Sequence, residues 1–94
     1  MTEPLTEDQR SDFLAAHPEW TLQGETINRT FGFKDFGEAI GFVTRAAMAS
    51  DAADHHPDID IRWNKVTMAL TTHDAGALTS KDVELAEKFD HYAA

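Results

Sequence analysis

Asp51-Ala52-Ala53-Asp54-His55-His56-Pro57-Asp58-Ile59-Asp60-Ile61-Arg62-Trp63-Asn64-Lys65-Val66-Thr67-Met68-Ala69-Leu70 changes from one structural period to another in the middle. Ahead of it, Phe36, Ile40, Val43 and Ala47 recur at helical spacing, and Asp35 followed by Glu38 has the form of a capping box. After Pro57, Ile59, Ile61 and Trp63 alternate with Asp58, Asp60 and Arg62, and Val66, Met68 and Leu70 alternate again. Proline has no N–H to continue a helix and biases the residue before it toward extended backbone. The reading is a helix from about Phe36 to near Ala53, an exit carrying His55 and His56, and a β-hairpin turning at Asn64-Lys65.

Working outward, His73 closes the last strand and by parity points to the face opposite Val66, Met68 and Leu70. Thr79 with Asp82 is another capping box, followed by Leu85, Ala86, Phe89 and Tyr92 as the apolar stripe of a terminal helix. Toward the N-terminus, Thr6 with Gln9 opens a short helix through the run Phe13 to Ala16, and His17-Pro18 ends it. Trp20 and Leu22, a turn at Gln23-Gly24-Glu25, then Ile27, Arg29, Phe31 and Phe33 on alternate residues predict a first hairpin. The order α-β-β-α-β-β-α implies an α+β, two-layer domain, a four-stranded antiparallel sheet with three helices. Residues 1–94 form a single domain without a linker, and the two ββα halves do not match well enough to be a sequence repeat.

Composition narrows the function classes. A chain of 94 residues with 41% apolar content builds one core and has no room for separate cofactor and substrate domains. The absence of cysteine excludes a disulfide framework, a thiol nucleophile and thiolate metal sites. A net charge of −9 opposes direct binding to nucleic acid. The start lacks a basic, apolar leader and nothing approaches the ~20 apolar residues of a membrane span, so no membrane association and a cytoplasmic location are expected.

His55, His56 and His73, three of the five histidines, fall between Asp51 and Asp82. With an unperturbed pKa of ~6.5, histidine serves as acid or base near neutral pH. Each residue also has a structural reading. His73 suits a surface strand end; His55 and His56 could cap the second helix; Asp82 is already explained as the N3 residue of a cap. Asp51 near a helix C-terminus is electrostatically disfavoured, which points to some other reason for its presence. Trp63, on the apolar face of a strand, suits the core as well as a substrate platform, and Trp20 carries the same ambiguity. Adjacent histidines seldom converge on one metal ion, so no metal site is expected. Ser11, Ser50 and Ser80 lie in no Gly-x-Ser-x-Gly elbow, and there is no phosphate-cradling glycine loop.

The run Asp51-x3-His55-His56-Pro57-x5-Trp63-x9-His73-x8-Asp82 resembles the signature of the pterin-4a-carbinolamine dehydratase family. So do Trp20-x-Leu22, Phe31-Gly32-Phe33-Lys34-Asp35-Phe36, Asn64-Lys65-Val66, and Thr72-His73 ahead of Leu78-Thr79, extending the likeness from about Leu5 to Tyr92. Two positions depart from many relatives, with Asp51 in place of Glu and Ala77 in place of Gly. The resemblance implies a hydro-lyase that converts 4a-hydroxytetrahydropterin, left by an aromatic amino acid hydroxylase, to quinonoid dihydropterin plus water. Departure of hydroxide needs an acid on the oxygen and a base on a ring nitrogen, which histidines can supply without a cofactor. On this reading His55, His56, His73 and Asp82 are catalytic. His55 and His73 are the acid–base groups, His56 mainly orients substrate, and Asp82 holds a catalytic histidine or a pterin nitrogen. Asp51, Pro57, Trp63, Thr72 and Asp74 bind substrate.

The implied partners are the pterin, further copies of the chain in a homodimer or homotetramer, and an aromatic amino acid hydroxylase. The competing class is a protein-binding accessory, a dimerisation cofactor or hydroxylase partner on the same fold, which has no need of the histidine set. For assembly, the second helix carries Phe42, Ala46 and Ala49 beside its main stripe, a wider apolar arc than one small sheet needs. The expectation is a two-fold contact through Phe42, with Ala46 and Ala49 allowing close approach.

Overall fold

Each helix begins where a side chain can take the first free backbone N–H groups. The computed structural model describes residues 2–94, and α1 spans Glu7–Ala16. Thr6 Oγ1 accepts from Gln9 N–H at 3.1 Å, while Gln9 Oε1 accepts from Thr6 N–H at 2.8 Å. The longer helix α2, Phe36–Ala53, has only half of that arrangement. Asp35 accepts from Glu38 N–H at 2.9 Å, and the Glu38 carboxylate reaches one residue further back, to Lys34 N–H at 3.1 Å. At the far end Asp54 adopts left-handed backbone, φ 51°, and His55 N–H closes on Ser50 C=O at 3.1 Å. That turn returns the chain toward the sheet with His55 leading.

The sheet is antiparallel throughout, in the order β1-β2-β4-β3, with β1 at Thr21–Gln23, β2 at Thr26–Gly32, β3 at Asp58–Arg62 and β4 at Lys65–Leu70. In the central pair, Ile27 lies opposite Leu70 and Phe31 opposite Val66. Their side chains, with Met68, are buried against α2 and the terminal helix α3, Ser80–Ala93, from which Leu85, Ala86 and Phe89 enter the core. Trp20 is also core: its ring is buried beside Phe31 and its indole N–H donates to Asp90 of α3 at 2.9 Å. Arg29 on β2 meets the same carboxylate at 2.8 Å, so one acid ties the first hairpin to the last helix.

The α-β-β-α-β-β-α order stands, with three local corrections. The last strand ends at Leu70, so strand parity does not orient His73, which opens a 3-10 turn over His73–Ala75. The second hairpin turns at Trp63-Asn64, because the pairing of Ile59 with Met68 and Ile61 with Val66 carries the ladder to Arg62 opposite Lys65. Trp63 therefore lies in the turn, at φ 51° and 69% exposed, instead of on an apolar strand face. β3 is an edge strand whose isoleucines stay partly exposed.

The third correction concerns the face α2 buries. Ala39, Phe42, Ala46 and Ala49 face the core, while Phe36 and Ala47 are exposed and Ile40 and Val43 half-buried. Both sets satisfy helical spacing, and aromatic packing decides between them. The Phe42 ring lies 4.7 Å from Phe31, 5.0 Å from Phe33 and 6.4 Å from Phe89, centroid to centroid. The alanines bring α2 close to its own sheet and to α3, so Phe42, Ala46 and Ala49 do not form the expected contact between subunits. Phe42→Ala should cost about 3–5 kcal/mol in urea unfolding, as for other buried phenylalanines. Phe36→Ala should stay within about 0.5 kcal/mol, and the reverse order would return the core face to the Phe36 stripe.

Candidate active site

A carboxylate without contact to water organises the region where α2 ends and α3 begins. Asp82 at the third position of α3 is fully buried. Its Oδ2 accepts from Thr79 N–H at 2.9 Å, completing the cap, and from the Thr72 hydroxyl at 2.8 Å. Its Oδ1 lies 2.6 Å from His55 Nε2, whose side chain is 10% exposed. Cap and histidine partner are therefore one residue, with the roles divided between its oxygens. Among the described residues no buried side-chain nitrogen or oxygen lacks a partner.

His55, His56 and His73 line one cleft of about 220 Å³, together with Asp54, Thr71, Thr72, Asp74 and Lys81. Volume does not single it out, since an open groove of about 450 Å³ runs along Glu84, Glu87, Lys88, His91 and Tyr92. What distinguishes the cleft is its proton-transfer groups, one of them backed by a buried carboxylate. On the rim, His56 Nε2 lies 2.9 Å from Asp51 Oδ1 with both side chains more than half exposed. Asp51, misplaced with respect to the helix dipole, has His56 as its counterpart. Among the described residues, no three His, Asp or Glu side chains group as metal ligands, and no helix is long and apolar enough to cross a membrane.

Comparison with known proteins gives this geometry a context. The family model described as Pterin 4 alpha carbinolamine dehydratase matches residues 3–92. The chain belongs to that family. A relative from Chloroflexus aurantiacus, provisionally named a pterin-4-alpha-carbinolamine dehydratase, is 52% identical over 86 residues, 92% of each chain. The crystal structure of a transcriptional coactivator/pterin dehydratase from Brucella melitensis superposes with a TM-score of 0.93 at 36% identity, covering 98% of this chain and 100% of that one. A pterin dehydratase-like protein described as a RuBisCO assembly factor in the alpha-carboxysome has a TM-score of 0.71 at 22% identity, over 83% of this chain and 93% of that one, and shares the fold.

Within this pterin dehydratase domain the residues singled out from sequence are distributed unevenly. His55, His56, His73, Thr72 and Asp74 line the cleft, and Asp82 stands behind His55. Asp51 reaches the rim through His56, Pro57 directly precedes β3, and Trp63 lies at the other end of that strand, outside the lining. Thr72 is buried, with its hydroxyl engaged by Asp82 and Thr79. The substitution at Ala77 causes no strain: the left-handed position is its neighbour Gly76, φ 64°, while Ala77 pairs with Thr72. Lys81, Asp54 and Thr71, which the sequence does not single out, also line the cleft, and Thr79 is more than a cap because its hydroxyl meets that of Thr72 at 2.7 Å. No local signal singles out Lys81, since Ser80 also stands between the two members of the capping box and does not line the cleft.

Asp82→Asn turns one acceptor oxygen into a donor facing another donor, at a cost of about 1–3 kcal/mol in urea unfolding. Asp51→Asn, on the surface, should change stability by no more than about 0.5 kcal/mol. Equal effects at the two positions would contradict the burial of Asp82.

Proposed function

We propose that this protein is a cytoplasmic hydro-lyase that converts 4a-hydroxytetrahydropterin to quinonoid dihydropterin and water, one step in recycling the pterin used by an aromatic amino acid hydroxylase. The observation that carries the reading is the meeting of His55, His56 and His73 on one cleft, with Asp82 held behind His55 at 2.6 Å. The reaction breaks the C4a–O bond and the N5–H bond. The N5 electron pair forms the C4a=N5 double bond while the departing hydroxide gains a proton, so the atoms lost are those of one water. A buried carboxylate behind an imidazole stabilises the imidazolium that forms when the ring accepts a proton. His55 is thereby suited to remove the N5 proton, and His73, on the exposed side of the cleft, to protonate the leaving oxygen. His56, tied to Asp51 on the rim, is suited to orient the ring. Asp74 and Lys81 add polar contacts at the same cleft.

A second reading, a non-catalytic accessory that binds a transcription factor or a hydroxylase, is favoured by the description of the Brucella melitensis relative as coactivator as well as dehydratase. An accessory would keep partner binding after loss of His73; a dehydratase would lose turnover.

On either reading we propose a homodimer or homotetramer. The apolar side chains left exposed are Phe36 and Met48 on α2 and Ile59, Ile61 and Trp63 at the β3 edge and its turn. They replace Phe42 as the surface that association would cover.

Three measurements test these proposals. With 4a-hydroxypterin generated by a hydroxylase, the protein should accelerate quinonoid dihydropterin formation above the uncatalysed rate, and no acceleration at micromolar protein would remove the assignment. His73→Ala should remain folded and lower turnover by ~100-fold or more; unchanged turnover would remove His73 from the reaction. Light scattering after gel filtration should give a dimer or tetramer at tens of micromolar, and a monomer would end the assembly proposal.

A further inference from the structure

We infer that Thr72 is a positioning residue for the proposed dehydration: its buried hydroxyl orients the Asp82 carboxylate so that His55 carries its proton on Nε2 and presents a bare Nδ1 to the cleft. The inference rests on the dehydratase reading for its kinetic consequence, but the tautomer is a property of the resting protein.

The hydrogen placement follows from counting donors. Thr72 Oγ1 lies 2.7 Å from Thr79 Oγ1 and 2.8 Å from Asp82 Oδ2. A hydroxyl has one hydrogen to give, and an ionised carboxylate only accepts, so Thr72 donates to Asp82. Thr79 must then donate to Thr72, and Thr79 Oγ1 accepts from Lys81 N–H at 3.3 Å. The chain runs in one direction, from a backbone N–H at the start of α3 through two hydroxyls to the carboxylate, and each member polarises the next. Oδ2 also receives Thr79 N–H at 2.9 Å, so two donors hold it and Oδ1 turns to His55 at 2.6 Å. An imidazole with a bare Nε2 at that separation would set lone pair against lone pair. Nε2 therefore carries the hydrogen, and the neutral ring keeps its lone pair on Nδ1, where a base must have it.

Two features make Thr72 more than a filler. Thr72, Thr79 and Asp82 are all buried, so water cannot replace a missing hydroxyl. The Thr72 backbone is also fixed: its N–H donates to Ala77 C=O at 3.3 Å, and its C=O accepts from Ala75 N–H at 3.1 Å and Ala77 N–H at 3.4 Å. Those bonds close the turn that carries His73, so the residue that sets the His55 partner also anchors the second histidine.

The test is Thr72→Val, which keeps the volume and removes the hydroxyl, with Thr72→Ser as the restoring variant. Nitrogen-15 NMR of ring-labelled histidine, with His55 assigned by His55→Gln, should show the Nε2–H tautomer in the wild type and in Thr72→Ser, and a mixture in Thr72→Val. The kcat of Thr72→Val should fall by up to ~100-fold, the scale on which misplacing a reacting group by about an ångström slows a reaction, with KM little changed and recovery in Thr72→Ser. A single Nε2–H tautomer with full kcat in Thr72→Val would overturn the inference, as would a raised KM at unchanged kcat, which would make Thr72 a substrate contact. If Thr72→Val does not fold, the wild-type spectrum still decides, because an Nδ1–H tautomer at His55 contradicts the donor chain. A wild type inactive toward the pterin, yet showing the tautomer change, would instead overturn the proposed function and leave the positioning geometry standing.

Discussion

The carboxylate of Asp82 sits where no water reaches it, and a charge in that position costs several kcal/mol unless donors surround it. Its donors come from different parts of the chain: Thr79 at the start of α3, Thr72 in the loop after β4, and His55 at the exit of α2. Moving any of the three leaves a buried donor or acceptor unpaired, at about 1–3 kcal/mol each. The condition that keeps the charge buried therefore also locks the cleft wall. His56 and His73 depend on it indirectly, one following His55 in the chain and the other following Thr72.

Much of the fold was legible because the signals that divide it are local. A threonine three residues ahead of a glutamine or an aspartate starts a helix through atoms that belong to that segment alone, and Pro57 bars a helix from running past it, although α2 already stops at the left-handed Asp54. The buried face of α2 was not legible for the complementary reason. Phe36-Ile40-Val43-Ala47 and Ala39-Phe42-Ala46-Ala49 both satisfy helical spacing, and the choice between them lies with Phe31, Phe33 and Phe89 on other elements. The hairpin turn slipped by one residue for a similar reason. Turn preference points to Asn64, but cross-strand pairing sets the register and places Trp63 at positive φ, where bulky side chains are uncommon.

The candidate site was legible in its three histidines and in Asp82, but not in their division of labour. Acid–base chemistry singles out His55, His56 and His73, yet no local rule brings His55 to Asp82, which is 27 positions away. The family spacing supplied that expectation. What spacing could not convey is that cap and histidine partner do not compete, because a carboxylate has two oxygens and the cap uses one. Thr72, expected at the substrate, has its hydroxyl pointed at that carboxylate.

Fold and chemistry separate at this same residue. An acid at the third position of α3 satisfies the helix start whatever the protein does, so Asp82 alone says nothing about catalysis, and a neighbour with 22% identity can share the architecture under a description that names an assembly role. The oxygen the cap leaves over is more informative. In a purely structural cap it would turn toward solvent or a further backbone N–H. Here it is sealed from water and aimed at an imidazole that lines a cleft with two more histidines. Stability of the helix start does not require that second contact; the proposed role of His55 as a base does, since such a ring must keep one nitrogen bare.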